Sequence, residues 1–261
     1  MNNIVNLDQT CSQLALPYCR HIGKSSFYPS RNFMITEDVR VTSVSTLCLL
    51  IILIFSLIRV HMHIYKKYVA EARSELMLIC DLYLFSLLFE FLLLTEMFES
   101  KILVTIQMCT INAIFSVLLW MSFFTTMCEV YNSYSKVRFF TIVHFIVSGI
   151  LIGIFFKSPE IVFFNGLLNA TIVFLFFFIQ TCKLKIKRSE LWPYGNLIIG
   201  MFFFSFGSVL FFIGNEIVSF LCNGYVDGIF IVHTMFFLSF LMLHKFWLST
   251  CDFEIECATI S

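Results

Sequence analysis

Two carboxylates interrupt long apolar runs. Asp81 lies in "LMLICDLYLFSLLF" and Glu90 follows nine residues later in "LFEFLLL". Paired carboxylates can share general acid and base work, but only when they meet. Nine residues at 100° each turn a helix through 900°, which puts the two on opposite faces with about 13.5 Å of rise between them. They form no acid pair by themselves. A carboxylate at membrane depth is costly and is a functional candidate by default. Each is expected to hydrogen-bond a neighbouring helix or to approach an interface, with a proton relay as the sharper alternative. His233 and His244 are eleven residues apart and share a face, but about 16.5 Å of rise keeps both from one metal ion. His144 could join one of them, yet no Ser/His/Asp set accompanies it. Lys245 stands at the end of an apolar run rather than in its middle, which disfavours a buried Schiff base. No phosphate-cradling Gly loop, nucleophile elbow or H-E-x-x-H occurs. The residues point to no catalysis, no cofactor and no metal.

The elements that must carry these residues are legible from composition. Of 261 residues 59% are hydrophobic, 34 are Phe and only 13% are charged, against about 25% charged in a soluble domain. A water-soluble core could not hide that much apolar side chain. With zero net charge, nothing global suggests nucleic acid. Apolar runs of about 20 residues, enough to cross hydrocarbon, are expected at 41–60, 76–95, 102–125, 139–156, 161–182, 197–220 and 229–248. Strands are excluded by run length. The expected fold is all-α, a polytopic bundle of seven transmembrane helices over 41–248. It is preceded by a polar tail (1–40) and followed by an acidic one (249–261). The polar first 40 residues carry no h-region of a cleaved signal, so the first run is expected to direct insertion.

Basic residues set the expected orientation. The first, third and fifth connections hold ten Lys and Arg: Arg59, Lys66, Lys67, Arg73, Lys136, Arg138, Lys183, Lys185, Lys187 and Arg188. The other three connections hold two, Lys101 and Lys157. The odd connections and the carboxyl tail are then cytosolic, and the amino terminus is luminal or exterior. On this topology only Cys11, Cys19 and Cys222 of the ten cysteines lie on the oxidising side, so at least one disulfide among them is expected. The sequon at Asn169 falls inside the fifth run, out of reach of glycosylation. Gly149 and Gly153 form a G-x-x-x-G, and Gly200, Gly207 and Gly214 recur every seven residues. Such small-residue faces let helix backbones approach closely. They serve packing within the bundle, or a groove for a partner's helix.

Several short stretches, in order along nearly the whole chain, resemble one family. After the first run, Lys67-Tyr68-Val69-Ala70 followed by Arg73-Ser74-Glu75 resembles a K-Y-x-A-x-x-R-S-E pattern. "CSQLALPYC" (11–19) resembles C-S-x-x-x-L-P-x-C. "LW" (191–192) with "GMFFFSFGSVL" (200–210), "LCNGYVDGIF" (221–230), "KFW" (245–247) and "CDFEIE" (251–256) agree in sequence order. The family is that of the fungal chitin synthase export chaperones. The tails and loops look trimmed, as in a shortened member, and two departures from the pattern stand out. Phe27 stands where the family has a further Cys, and "CEVYNSYSKVR" (128–138) lacks an N-x-W-E-like signature. With Phe27 in place of the expected partner of Cys222, the local Cys11–Cys19 pair is favoured.

The resemblance implies a seven-span protein of the endoplasmic reticulum membrane, not an enzyme, that a chitin synthase needs to fold and leave that compartment. The implied partners are the chitin synthase catalytic subunit, membrane lipid and, through Asp252-x-Glu254 in the tail, vesicle coat machinery. Nucleic acid is not among them. Candidate partner-contact residues are Lys67, Tyr68, Arg73, Ser74, Glu75, Gly200, Gly207, Asp227, Gly228, Asp252 and Glu254. The alternative from another class is a seven-helix receptor or small-solute transporter. A bare anchor is also a sufficient reading of "YKKYVAEARSE" (65–75), since its basic residues alone would orient two spans.

Overall fold

A run of apolar residues in hydrocarbon must satisfy its own N–H and C=O groups, and within one segment only the α-helix does so. The computed structural model describes residues 33–36, 39–41, 43–67, 72–95, 101–126, 133–155, 160–187, 191–222, 226 and 228–260. Among these are seven helices long and apolar enough to cross a membrane. They are α1 (Val44–Lys66), α2 (Arg73–Leu94), α3 (Lys101–Thr126), α4 (Ser133–Ile154), α5 (Glu160–Lys187), α6 (Leu191–Cys222) and α7 (Gly228–Ile260). The chain is a multi-pass helical membrane protein. Before α1 stands a feature outside the sequence reading, a small antiparallel hairpin of β1 (Phe33–Thr36) and β2 (Val39–Val41) with Phe33 opposite Val41.

Local chemistry sets the ends of α1 and α2. Ser43 is the N-cap of α1; its Oγ accepts from the Thr46 N–H at 3.3 Å and donates to Thr46 Oγ1 at 3.0 Å. That satisfies one of the orphan donors of the first turn. At the other end the Lys67 N–H donates to the Ile64 carbonyl. Ala72 precedes α2 with φ 54° and ψ 21°, left-handed backbone that costs a residue with a Cβ about 1 kcal/mol. The 23 residues of α1 reach about 34 Å, enough for a 30 Å hydrocarbon core. α6 and α7 are longer, with 32 and 33 residues, and α7 runs helically through most of the expected tail.

α3 is the axis of the bundle. It is the most buried span and packs on α2, α4 and α5, while α7 joins α6 to α1. The side-chain contacts give the registers. Glu90 meets His233 and Tyr83 meets Phe240, so seven residues back along α2 match seven forward along α7. Gly200 and Gly207 of α6 face Met242 and Met235 of α7 in the same antiparallel sense. Seven-residue steps are the period of left-handed helix packing. α3 and α5 run parallel: Asn112 meets Asn169 and Ser122 meets Gln180, at near-constant offsets of 57 and 58 residues. Trp120 of α3 stacks on Phe140 of α4 with centroids 4.3 Å apart. Large exposed side chains such as Ile52, Phe55, Phe174 and Phe178 cover the outside, the face that lipid solvates.

Candidate functional site

Lipid offers helices no hydrophobic incentive to associate, so packing and interhelical hydrogen bonds must hold the bundle. The polar groups of the interior fall into layers. Glu90 is four residues before the end of α2, Gln107 six into α3 and His233 five into α7, so all three lie at one end. Gln107 Nε2 donates to Glu90 Oε2, and His233 Nε2 stands 3.8 Å from Glu90 Oε1. One carboxylate thereby ties three helices. Below it Asn169 Nδ2 donates to Asn112 Oδ1 at 2.9 Å, and Asn112 Nδ2 reaches Asn165 Oδ1 at 3.5 Å. Toward the other end Gln180 Nε2 donates to Ser122 Oγ at 3.0 Å. There too, at the partly exposed margin of the bundle rather than in its interior, His63 Nδ1 and His244 Nε2 approach to 3.3 Å with rings edge to face, and His61 Nδ1 lies 3.0 Å from Asp81 Oδ1.

His233 and His244 therefore share a face but serve different layers. Among the described residues no three His, Cys, Asp or Glu side chains come together as a metal site would require. The sequence reading passed over His61, His63 and the amides Gln107, Asn112, Asn165 and Gln180, and read Asn169 only as a sequon. The available signal was amides inside apolar runs, with Asn165 and Asn169 one turn apart.

The "YKKYVAEARSE" stretch is a worked corner between α1 and α2. Arg73 Nη2 donates to the Tyr65 carbonyl at 2.8 Å, and its guanidinium lies over the Tyr65 ring, 5.2 Å from the centroid. That carbonyl belongs to the last turn of α1, whose acceptors need partners. One Nη donates while the flat face of the guanidinium lies over the ring, and Lys has no such planar face. Glu75 is buried in the first turn of α2, where the helix dipole favours a carboxylate. Ser74 is exposed, and Lys67 forms the α1 C-cap.

Gly200 and Gly207 of α6 face the chain itself. A Cβ on Gly207 would fall 3.0 Å from Met235 Cβ and 3.1 Å from the Phe236 ring; on Gly200 it would fall 3.2 Å from Met242 Cβ. Ser239 Oγ also donates to the Gly200 carbonyl at 2.9 Å. Of the two uses that the sequence allowed for this face, the geometry shows packing against α7. Gly228 opens α7 and is buried. Asp252 and Glu254 lie in the last turns of α7, and Cys222 ends α6; their side chains lie outside the described residues. Tyr68, Asp227, Cys11 and Cys19 also lie outside the described residues.

Comparison with known proteins agrees with this architecture. The family described as "Chitin synthase export chaperone" matches residues 3–259. A chitin synthase export chaperone of Chaetomium globosum is 30% identical over 90 residues, 34% of this chain and 27% of that protein. One of Candida albicans is 27% identical over 106 residues, 40% and 34% of the two chains. One of Phaeosphaeria nodorum is 25% identical over 128 residues, 46% and 39%. The matched stretches thus span between about a quarter and two fifths of these relatives. No solved structure matches. With the family pattern running over nearly every residue of a seven-helix membrane bundle, the chain belongs to the chitin synthase export chaperone family.

Proposed function

We propose that the chain is a client-specific chaperone of the endoplasmic reticulum membrane, without enzymatic activity, that lets a chitin synthase fold and leave that compartment. The observation that carries this reading is the family match over residues 3–259. Physical chemistry says what the task requires. A synthase with many spans leaves polar groups unpartnered in lipid until it is packed, at several kcal/mol each. A bundle whose own helices are tied by interhelical hydrogen bonds can offer a stable surface beside them. The excess of basic residues in odd connections supports a luminal amino terminus and a cytosolic carboxyl end. α7 reaches about 50 Å, so its last turns extend beyond a 30 Å core. That would set Asp252 and Glu254 in the cytosol, within reach of vesicle coat machinery.

The test is co-purification and imaging in cells that depend on this chain. Tagged protein should bring down a chitin synthase, and its loss should hold the synthase in the endoplasmic reticulum and deplete wall chitin. Normal synthase export in its absence overturns the proposal; a solute flux or ligand response would favour a transporter or receptor instead.

A further inference from the structure

The two carboxylates of α2 differ in the feature that matters at membrane depth. The Glu90 side chain is 5% exposed and held from two sides, whereas that of Asp81 is 47% exposed. Asp81 lies eight residues into α2, about 12 Å along the axis from Arg73 and within a helix long and apolar enough to cross a membrane. Among the described residues it bonds to His61 alone. A charged Asp in lipid costs about 3 kcal/mol even on the mild insertion scale, and one imidazole leaves half of this carboxylate uncovered.

Its neighbours form a stripe. Ser74, Asp81 and Leu88 follow at seven-residue steps, and Phe85 is one turn beyond Asp81, so all four share one face of α2. Ser74 is exposed, as are Phe85 at 54% and Leu88 at 40%. Ile58 and Tyr65 of α1 are exposed alongside.

We propose that this face of α2 seats a transmembrane helix of the client synthase, and that Asp81 is the polar anchor of the contact. It accepts from a hydrogen-bond donor or cation on that helix. The inference rests on the export reading above and names the surface that serves it. Charge complementarity selects the occupant. An acyl chain brings no donor to Asp81, and a headgroup amine stays at the interface. A second copy seated symmetrically on the stripe would set Asp81 against Asp81 across the axis, a like-charge contact in low dielectric. A client helix can carry the complementary group. It would meet Ser74 of the R-S-E motif at the stripe's basic, loop-side end.

The experiment uses the full chain, co-expressed with the synthase in native membranes. Asp81→Leu should lower co-purified synthase about tenfold, the worth of one good interhelical polar contact. Asp81→Asn, which keeps an acceptor, should fall between. The chain's own melting temperature in detergent should stay level or rise with Asp81→Leu, which a purely structural role would lower. In the otherwise unaltered chain, a photo-crosslinker at Leu88 should capture the synthase, and one at the exposed Ile198 of α6 should not. Capture at Leu88 of only lipid or a second copy, or full synthase recovery with Asp81→Leu, overturns the inference and leaves the export reading standing. If the unaltered chain recovers no synthase at all, the export reading itself has failed and the inference with it.

Discussion

Replacing Gly207 by Ala tests the closest helix contact in the bundle. The added Cβ would lie 3.0 Å from Met235 Cβ, an atom fixed to the α7 backbone. Carbon atoms are at their best separation near 3.5–4.0 Å. No rotamer change moves a Cβ, so α6 and α7 must part by about 0.5 Å at that level. A gap of that size forfeits about a quarter of the contact energy of the atoms lining it, and overpacking of this kind costs about 1–3 kcal/mol. Against it stands the ordinary gain of Ala over Gly in a helix, about 0.5–1 kcal/mol. The net expectation is a loss of about 1–2 kcal/mol. Gly153 supplies the control. A Cβ there meets nothing within 4 Å, so Gly153→Ala should keep the full gain. Thermal unfolding of both variants in one detergent reads the difference as melting temperatures displaced in opposite directions. Equal displacement, or a Gly207 variant as stable as the parent, would refute the contact argument and reopen the α6 face as a surface for a partner.

Other perturbations separate the layers. Ala72→Gly relieves left-handed backbone and should stabilise by about 1 kcal/mol in the same melt, since Gly adopts φ 54° without a Cβ penalty. Glu90→Ala strips Gln107 of its acceptor and His233 of the carboxylate beside it and should cost about 1–3 kcal/mol, whereas Tyr83→Phe removes a buried hydroxyl with no partner among the described residues and should be neutral or stabilising. Lys66→Arg with Lys67→Arg should insert and export the synthase normally, while Arg73→Lys with Glu75→Gln should insert yet leave the synthase in the endoplasmic reticulum; normal export by the second pair would return the corner to a simple anchor. Non-reduced peptide mapping of protein from that compartment should find at least two of Cys11, Cys19 and Cys222 in a disulfide, with Cys11–Cys19 favoured, and three free thiols would exclude it.

The helices were legible in the sequence because lipid leaves a long apolar run one way to satisfy its backbone. The partners of those helices were not. Nine residues between Asp81 and Glu90 told that they face apart, but not that Glu90 faces α3 and α7 while Asp81 faces out. That depends on which helices neighbour α2, a matter of long-range contact. Gly200 and Gly207 marked a close approach without saying to what. Arg73 stood out through a resemblance, and its bond to the Tyr65 carbonyl depends on a turn geometry that residue types alone do not encode. His61 and His63 escaped notice because they sit among the charged residues at the end of α1, where a solvated role is the ordinary one. The β1–β2 hairpin was hidden by brevity, three and four residues in a polar segment.

The meeting of His63 with His244 bridges 181 residues of chain. A ribosome adding about 5–20 residues per second needs roughly ten to forty seconds to make that much polypeptide. Throughout that interval the partner of His63 on α7 does not yet exist, so this contact between the first and last helices forms late. The bundle therefore cannot close until synthesis is almost finished. A nascent chain stopped before Gly228 would lack both this contact and the approach of His233 to Glu90, so α1 and α2 each wait on the last helix for a polar neighbour.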